Sequence, residues 1–229
     1  MQSKAKVAFL LGEQQAAERI ALRLFRRLIE TWEYAGLAGA PDNASVEVGA
    51  SGGKLYIEMG DPVTAAYRAH YYVFRSAEQL ALINDGFHIH LRAMQGGGLG
   101  LRIFHRQVAN ASALGIRRIE AVAGRRHNEN GYYTWPRFGF NGDLPFRLRR
   151  MLPIGMEKAR TVLDLMECEK GRSWWREYGE TIRVEFDLFA GSRSQAVLER
   201  YILSKRKSKG CGNHSGLMRS AVTVEKGFQ

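Results

Sequence analysis

The sequence predicts a mixed α/β domain in which helices flank a central sheet. Three patterns support this class: an amphipathic repeat near the N-terminus, short runs of alternating apolar and polar residues, and a strand–glycine loop–helix–strand order over residues 87–123. The chain has 229 residues, of which 45% are hydrophobic and 25% charged, close to the average of globular proteins. A chain of this kind buries a substantial core, as one large domain or two small ones.

The first predicted element is an amphipathic helix over residues 15–33. Arg and Glu occupy one side, and the apolar stripe consists of Ile20, Leu22, Leu24, Phe25, Leu28, Ile29 and Trp32. Residues 34–44 are rich in Gly, Ala and Pro, which is typical of a linker. We therefore expect residues 1–44 to form an N-terminal helix and linker before the main domain.

Strand patterns dominate the following segment. Alternating apolar and polar residues predict strands at 45–48, 54–59, 80–83 and 87–93. The first two flank a glycine-containing turn, which favours a hairpin. The last two are separated by the turn-forming sequence Asn84-Asp85-Gly86. Residues 62–75 fit either a strand or a helix.

The second half of the chain is predicted to mix helices and strands. The predicted elements are a helix over 101–114 closed by Gly115, a strand over 116–123, helices over 156–168 and 171–179, a strand over 181–188, and a helix from Ser192 to Leu203. From Lys205 onward the chain is poor in apolar residues. We expect residues 205–229 to form a flexible basic tail.

The net charge of +11, from 34 basic and 23 acidic residues, falls mainly in two regions. Residues 117–150 contain eight arginines against three carboxylates, and residues 205–229 contain six basic residues against one carboxylate. This charge either serves solubility or attracts a polyanion, which would be a nucleic acid or a phosphate-bearing cofactor. The preference for Arg favours phosphate, because its planar fork binds two phosphate oxygens at once.

The apolar runs and cysteines exclude several classes of protein. The run Val7–Leu11 follows Lys4 and Lys6 like a signal peptide, but it is far shorter than the roughly 20 residues of a membrane span. We expect a soluble, cytoplasmic protein without a membrane partner. Cys168 and Cys211 have no nearby cysteine, which argues against a disulfide scaffold and a cysteine zinc site.

A glycine loop from Gln95 to Gly100 separates a predicted strand from a predicted helix. Backbone N–H groups of such a loop, together with the helix dipole, favour a phosphate group. The loop lacks the Lys-Ser/Thr of a P-loop, and Ile103 stands where a dinucleotide fold has its third glycine. A purely structural turn is the alternative interpretation.

The pattern Gln95-x-x-Gly98-x-Gly100 resembles the pyrophosphate loop of the GCN5-related N-acetyltransferases. Further along, Asn128, Gly131, Trp135 and Gly139-Phe140 occupy the spacing of that family's next motif. The resemblance covers residues 87–140 specifically and residues 45–190 loosely. It implies a mixed, mostly antiparallel central sheet and an acyl-CoA-binding domain over residues 45–204.

The resemblance also implies direct transfer of an acetyl group from acetyl-CoA to an amine, whose identity and size stay open. The implied cofactor-binding residues are Gln95, Gly96, Gly97, Gly98, Leu99, Gly100, Leu101, Asn128 and Trp135. Arg102 and Arg106 are candidates for contacts with the CoA phosphates. No metal site is expected, although His88 and His90 share one strand face, which His70 could complete as a zinc site.

The general acid and base of this reaction are less well defined. Trp135 stands where the family often has a catalytic Tyr, and indole cannot supply a proton. Pro136 follows where the family usually has a helix, which Pro disfavours. Tyr132 and Tyr133 are the candidate acids.

Glu120 and His88 are the candidate bases. Pairing of Glu120 with a neighbouring Arg is the structural alternative to a catalytic role. The departures at Trp135 and Pro136 also leave open a catalytically degenerate CoA-binding module. A third hypothesis is a basic nucleic-acid-binding or ribosome-associated protein that uses the tail.

Overall fold

A computed structural model of the chain describes residues 4–126 and 129–211. The β-strands are β1 (Lys6–Phe9), β2 (Ser45–Ser51), β3 (Lys54–Gly60), β4 (Tyr67–Ser76), β5 (Gln79–Ile89), β6 (Arg118–Ala123), β7 (Arg125–Arg126), β8 (Glu129–Asn130) and β9 (Ile182–Asp187). The α-helices are α1 (Gln14–Phe25), α2 (Thr31–Leu37), α3 (Leu99–Ala113), α4 (Gly131–Arg137), α5 (Phe146–Arg149), α6 (Val162–Met166), α7 (Glu169–Tyr178) and α8 (Arg193–Cys211).

Seven strands form one central sheet in the order β1-β2-β3-β4-β5-β6-β9. The pairs β1–β2 and β5–β6 are parallel, and the other four neighbouring pairs are antiparallel. The parallel pair β5–β6 encloses α3, so the predicted strand–glycine loop–helix–strand unit is confirmed. The mixed α/β class and the mostly antiparallel sheet are confirmed as well.

The two faces of the sheet differ because side chains alternate along each strand. On one face, buried residues such as Val48, Ile57, Val73, Leu82 and Ile119 form the core. Helices pack on this face, and Phe104 of α3 lies 5.1 Å from Phe186 of β9, ring centre to ring centre. The opposite face carries polar and aromatic side chains that are half-buried or exposed along β3, β4, β6 and β9.

The N-terminal region is more ordered than the predicted helix and linker. It begins with β1, and the predicted helix over 15–33 is two helices, because Arg26 adopts a left-handed conformation (φ 60°) at the end of α1. Leu22 and Leu28 of the predicted apolar stripe are exposed. A reciprocal capping interaction between Glu30 and Glu33 begins α2.

The first part of the predicted linker over residues 34–44 is buried. Residues 34–40 are all buried, and they pack against α3. A side chain at Gly36 would approach Asn110 to 2.6 Å, and one at Gly39 would approach the Ile103 carbonyl oxygen to 2.1 Å. The small residues therefore permit close packing of α2 against α3, not flexibility.

The predicted break at Asn84-Asp85-Gly86 is wrong, because β5 is one continuous strand through this sequence. Tyr71 of β4 pairs with Asn84 and His70 pairs with Gly86, so Asp85 is the extra residue of a β-bulge. Residues favoured in turns also occur at bulges, which is why the sequence pattern suggested an interruption. The segment predicted as either strand or helix contains β4, and the predicted hairpin is confirmed as β2–β3.

The C-terminal half departs from prediction in two places. The predicted helix over 156–168 is restricted to the short α6, which a capping box at Thr161 and Asp164 begins. The last helix, α8, continues to Cys211, past the predicted end at Leu203, so the first part of the predicted tail is helical. Residues 212–229 lie outside the described residues. The predicted end of α7 at Gly179 is confirmed, since its N–H bonds the Trp175 carbonyl at 2.8 Å.

Candidate functional site

The candidate site lies where the parallel strands β5 and β6 end. Each strand runs toward the N-terminus of a helix, β5 through the glycine loop to α3 and β6 through β7 and β8 to α4. Ligands of open α/β sheets commonly bind at the carboxyl ends of parallel strands, where helix N-termini converge. This edge of the sheet therefore has the general geometry of a binding site.

The two strands separate at this edge. They pair over four residues, from Ala81–Arg118 to Asn84–Ala121. Beyond the bulge at Asp85, β5 stays paired with β4, while β6 stays paired with β9. The backbones of β5 and β6 consequently no longer bond one another past Asn84, which leaves an opening between the strands.

The glycine loop connects the end of β5 to α3. Gly96 and Gly98 have φ values of +74° and +82°, a conformation that favours glycine, and Gly98 caps α3. The Gln95 side-chain amide donates to the Ile89 carbonyl at 2.8 Å and ties the loop to β5. Arg102 donates from its guanidinium to the Gly97 carbonyl at 3.1 Å.

The members of the predicted loop have different roles. Gly96 and Gly97 are exposed, whereas Leu99 is buried and Leu101 half-buried in the core, so these leucines can offer only backbone groups to a ligand. A side chain at Gly100 would approach the Phe87 ring to 3.0 Å, so this glycine serves helix–strand packing. The first N–H groups of α3 have no partner within the helix and are available to an anion.

Of the two arginines proposed for CoA phosphates, only Arg102 lies at the loop. Arg106 donates to the Ala40 carbonyl at 3.0 Å and lies 3.5 Å from an Asp42 carboxylate oxygen. Its side chain therefore fixes the segment after α2 and does not face the loop.

The helix α4 carries three of the predicted site residues. The Tyr132 hydroxyl donates to the Arg176 carbonyl at 2.9 Å. The Tyr133 ring lies under the guanidinium of Arg137 at 5.1 Å. Trp135 packs into the aromatic core, with its ring centre 4.9 Å from that of Phe140.

Pro136 lies inside α4, where the sequence argued against a helix. A residue other than Pro at this position would donate its N–H to the Tyr132 carbonyl four residues earlier. That carbonyl instead accepts a hydrogen bond of 2.8 Å from the Trp175 indole N–H. The indole satisfies the orphaned carbonyl, so the helix tolerates its proline. Trp175 is fully buried, as expected for a core residue.

Glu120 lies on the polar face of the sheet, beside the opening. Arg118 donates from Nε to the Glu120 carboxylate at 2.7 Å and lies 3.6 Å from that of Glu185. The structural alternative, pairing with a neighbouring Arg, is thus present. About a third of the Glu120 side chain stays exposed.

A cavity of about 850 Å³ opens on this polar face, and Glu120 lines it. Its carboxylates are Asp85, Glu120, Asp143, Glu185 and Asp187, and its arginines are Arg118, Arg183 and Arg193. Arg193 is held at the rim by Asp164, 2.7 Å away. Burial alone would raise the pKa of Asp164. The N–H groups of residues 160–161 and the Arg193 guanidinium outweigh this effect and lower the pKa from 3.8 to about 2. The ion pair therefore persists at neutral pH.

His88 lies apart from Glu120. It follows the bulge, pairs across the sheet with Arg68, and stacks on His90 with ring centres 6.1 Å apart. The structure thus places one candidate base, Glu120, at the opening and the other on the far part of the same face. Among residues 4–126 and 129–211, no cluster of three His, Cys, Asp or Glu side chains is arranged to hold a metal. Asn128 lies outside the described residues.

A buried pair of amide side chains, which sequence reasoning missed, lies beside the opening. Asn84 donates to the Gln107 side-chain oxygen at 3.0 Å, and Gln107 donates to the Leu37 carbonyl at 2.9 Å. The Asn84 side-chain oxygen is buried and has no protein partner. In the sequence, only the position of Gln107 on the apolar side of the predicted helix over 101–114 indicates a buried amide.

No family model matches this chain, and no curated protein is significantly similar to it. No described helix is both long and apolar enough to cross a membrane.

Proposed function

We propose that the protein is an N-acyltransferase that moves an acetyl group from acetyl-CoA to an amine by direct transfer. The observation that carries the proposal is the end of β5–β6 pairing at Asn84, beside the carboxylate cavity, in a strand pair that the glycine loop and α3 connect. A thioester in the opening between these strands lies next to the acceptor amine, so that the acetyl group transfers directly and no covalent enzyme intermediate forms.

In this proposal the phosphates of acetyl-CoA bind at the glycine loop. The N–H groups at the start of α3 and the positive end of its dipole attract a pyrophosphate. Arg102, at the same loop, adds a full positive charge. The arm of the cofactor then runs between the diverging strands.

The acceptor occupies the carboxylate cavity. Glu120 removes a proton from the ammonium form of the amine, directly or through a water molecule. The amine nitrogen then bonds to the thioester carbonyl carbon and the carbon–sulfur bond breaks. CoA leaves as a thiolate, and the nitrogen loses its second proton to solvent. Tyr133 is the better proton donor to that thiolate, because the hydroxyl of Tyr132 is bonded to the Arg176 carbonyl.

Calorimetric titration with acetyl-CoA tests the cofactor site. We expect Gly98→Ala to weaken binding about tenfold, because a side chain strains the left-handed backbone by about 1–2 kcal/mol and moves the loop. Gly52→Ala is the matched control: Gly52 has a φ of +55° in the β2–β3 turn, far from the loop. Absence of binding to the wild type, or equal affinity of both variants, contradicts the proposed site.

Release of free thiol in the presence of a panel of amines tests the reaction. We expect Glu120→Gln to abolish most of the release while the affinity for acetyl-CoA is unchanged. Tight binding of acetyl-CoA by the wild type without thiol release for any amine would instead support the catalytically degenerate module, which the substitution of Trp135 for a family Tyr suggests.

A further inference from the structure

A row of stacked cations and aromatic rings crosses three helices, and only its Tyr133 belongs to the proposed reaction. It consists of Arg176 from α7, Tyr133 and Arg137 from α4, and Tyr201 and Lys205 from α8. We call these five residues the cation–π ladder. Arg125 and Arg126 of β7 and Arg206 of α8 are exposed as well.

Cations and rings alternate along the ladder. The Arg137 guanidinium lies 5.1 Å from the centre of the Tyr133 ring and 4.8 Å from that of Tyr201. Arg176 lies 5.9 Å from the centre of the Tyr133 ring, and Lys205 lies 5.6 Å from that of the Tyr201 ring. Each ring thus contacts two cations, which holds these long side chains in defined positions. Arg176 and Lys205 are exposed, and the other three residues are half-buried.

Stacked guanidinium groups remain able to bind phosphate. The stack uses the face of the guanidinium plane, while the N–H groups point outward from its edge and form bidentate bonds with phosphate oxygens. The bond from Arg172 lowers the pKa of the Glu169 carboxyl, and the charge of Arg137 lowers it to a smaller extent. Arg172 thereby neutralises Glu169 locally, and the ladder keeps an excess of positive charge.

We propose that the cation–π ladder binds single-stranded nucleic acid. The ladder supplies cations from three helices for phosphate groups, and a single strand follows such a row of charges with its flexible backbone. The sequence continues from Lys205 with five further basic residues, so the polyanion meets positive charge beyond the ladder as well. This binding does not depend on acetyl-CoA.

Fluorescence anisotropy with a labelled oligothymidylate of about 20 nucleotides tests the proposal on the full chain. The test variant is Arg137→Gln/Arg176→Gln. The control is Arg19→Gln/Arg117→Gln, which removes the same charge from exposed positions on α1 and before β6. A third variant, Arg137→Lys/Arg176→Lys, keeps the charge but loses the planar fork.

We expect the test variant to bind about tenfold more weakly than the wild type, with the control within about twofold. The slope of log affinity against log salt should fall in magnitude by about 1.4, since each lost phosphate contact on a single strand contributes about 0.7. The lysine variant should keep the salt slope of the wild type, because its charge is unchanged, but bind more weakly, because it lacks the planar fork. Thermal unfolding of each variant verifies that it is folded.

Four results overturn the proposal. The first is no binding of the wild type at about 50 mM salt. The second is equal loss in the test and control variants, which indicates attraction to overall charge only. The third is a loss of affinity that occurs only in a Lys207→Gln/Lys209→Gln/Arg219→Gln variant, which assigns binding to the C-terminal segment. Vesicles with anionic lipid serve as a parallel probe, and binding to vesicles but not to the oligonucleotide also rejects the ladder as a nucleic-acid surface.

Discussion

Residues 34–40 and residues 95–100 both contain several glycines, but the first segment is buried between helices and the second lies at the exposed start of α3. In the first, Gly39 has no room for a side chain, because a Cβ atom would lie 2.1 Å from the Ile103 carbonyl oxygen. In the second, Gly96 has open space around it. Gly39 thus serves close packing as well as a left-handed backbone at φ +64°, whereas Gly96 serves backbone conformation alone.

This contrast separates effects on stability from effects on binding. A substitution in the buried segment should unfold the protein more easily, whether or not a ligand binds. A substitution in the exposed loop should change ligand affinity more than stability. The following substitutions test this separation.

The largest effect is expected for Gly39→Ala. The left-handed backbone at φ +64° costs about 1–2 kcal/mol with a side chain, and the clash with the α3 backbone adds about 1–3 kcal/mol. We expect a loss of about 3 kcal/mol in the free energy of unfolding, measured with urea. Gly12→Ala, at φ +78° with open space, is the control and should lose only the conformational part. Equal losses would show that α2 does not pack as closely as described.

A smaller loss is expected for Gln107→Leu, which breaks the polar link between the buried segment and β5. The substitution leaves the Leu37 carbonyl and the Asn84 amide without their partner. Buried unsatisfied groups of this kind cost about 1–3 kcal/mol, so we expect a loss of about 2 kcal/mol. Gln14→Leu, which removes an exposed bond to Glu18, should change the free energy of unfolding by less than about 0.5 kcal/mol.

The same contrast explains which features the sequence could predict. Alternation and helical periodicity located β2, β3, β6, β9 and α3, because burial of one face leaves a period in the sequence. The Gly-Ala-rich segment 34–40 was interpreted as a linker because close packing of small residues and flexibility have the same composition. Its burial depends on α3, which lies far away in the chain.

The candidate site was predictable only in part. The glycine loop was located because its residues are consecutive, and so were Tyr132 and Tyr133. The opening between β5 and β6 was not, since the bulge at Asp85 has the residues of a turn. The carboxylate cavity combines β5, β6, β9 and residues 141–143, and no local pattern joins these segments.

The first turn of α2, next to the buried segment, predicts a modest dependence of stability on pH. The bond from Arg27 lowers the pKa of Glu33 below its ordinary value of 4.5, although burial opposes this. A lowered pKa in the folded state stabilises the protein above pH 4.5, and this stabilisation is lost as the pH falls through the folded pKa. At pH 7, we expect the free energy of unfolding of the wild type, measured with urea, to exceed that of Glu33→Gln by about 1 kcal/mol. The difference should shrink below pH 4.5, and a constant difference down to pH 3 would contradict this account.

The smallest effect on stability is expected for Gly96→Ala, in the exposed loop. Its φ of +74° gives a strain of about 1 kcal/mol, and no atom lies within 4 Å of the added Cβ. The loop relieves much of this strain by shifting, since Gly96 and Gly97 are exposed. We therefore expect an unfolding free energy within about 1 kcal/mol of wild type, together with about threefold weaker acetyl-CoA binding, because the shift moves the N–H groups at the start of α3. Urea unfolding and calorimetry on one preparation measure both quantities. Unchanged affinity with lowered stability would make the loop a structural turn like its buried counterpart, since a phosphate site depends on the position of its N–H groups.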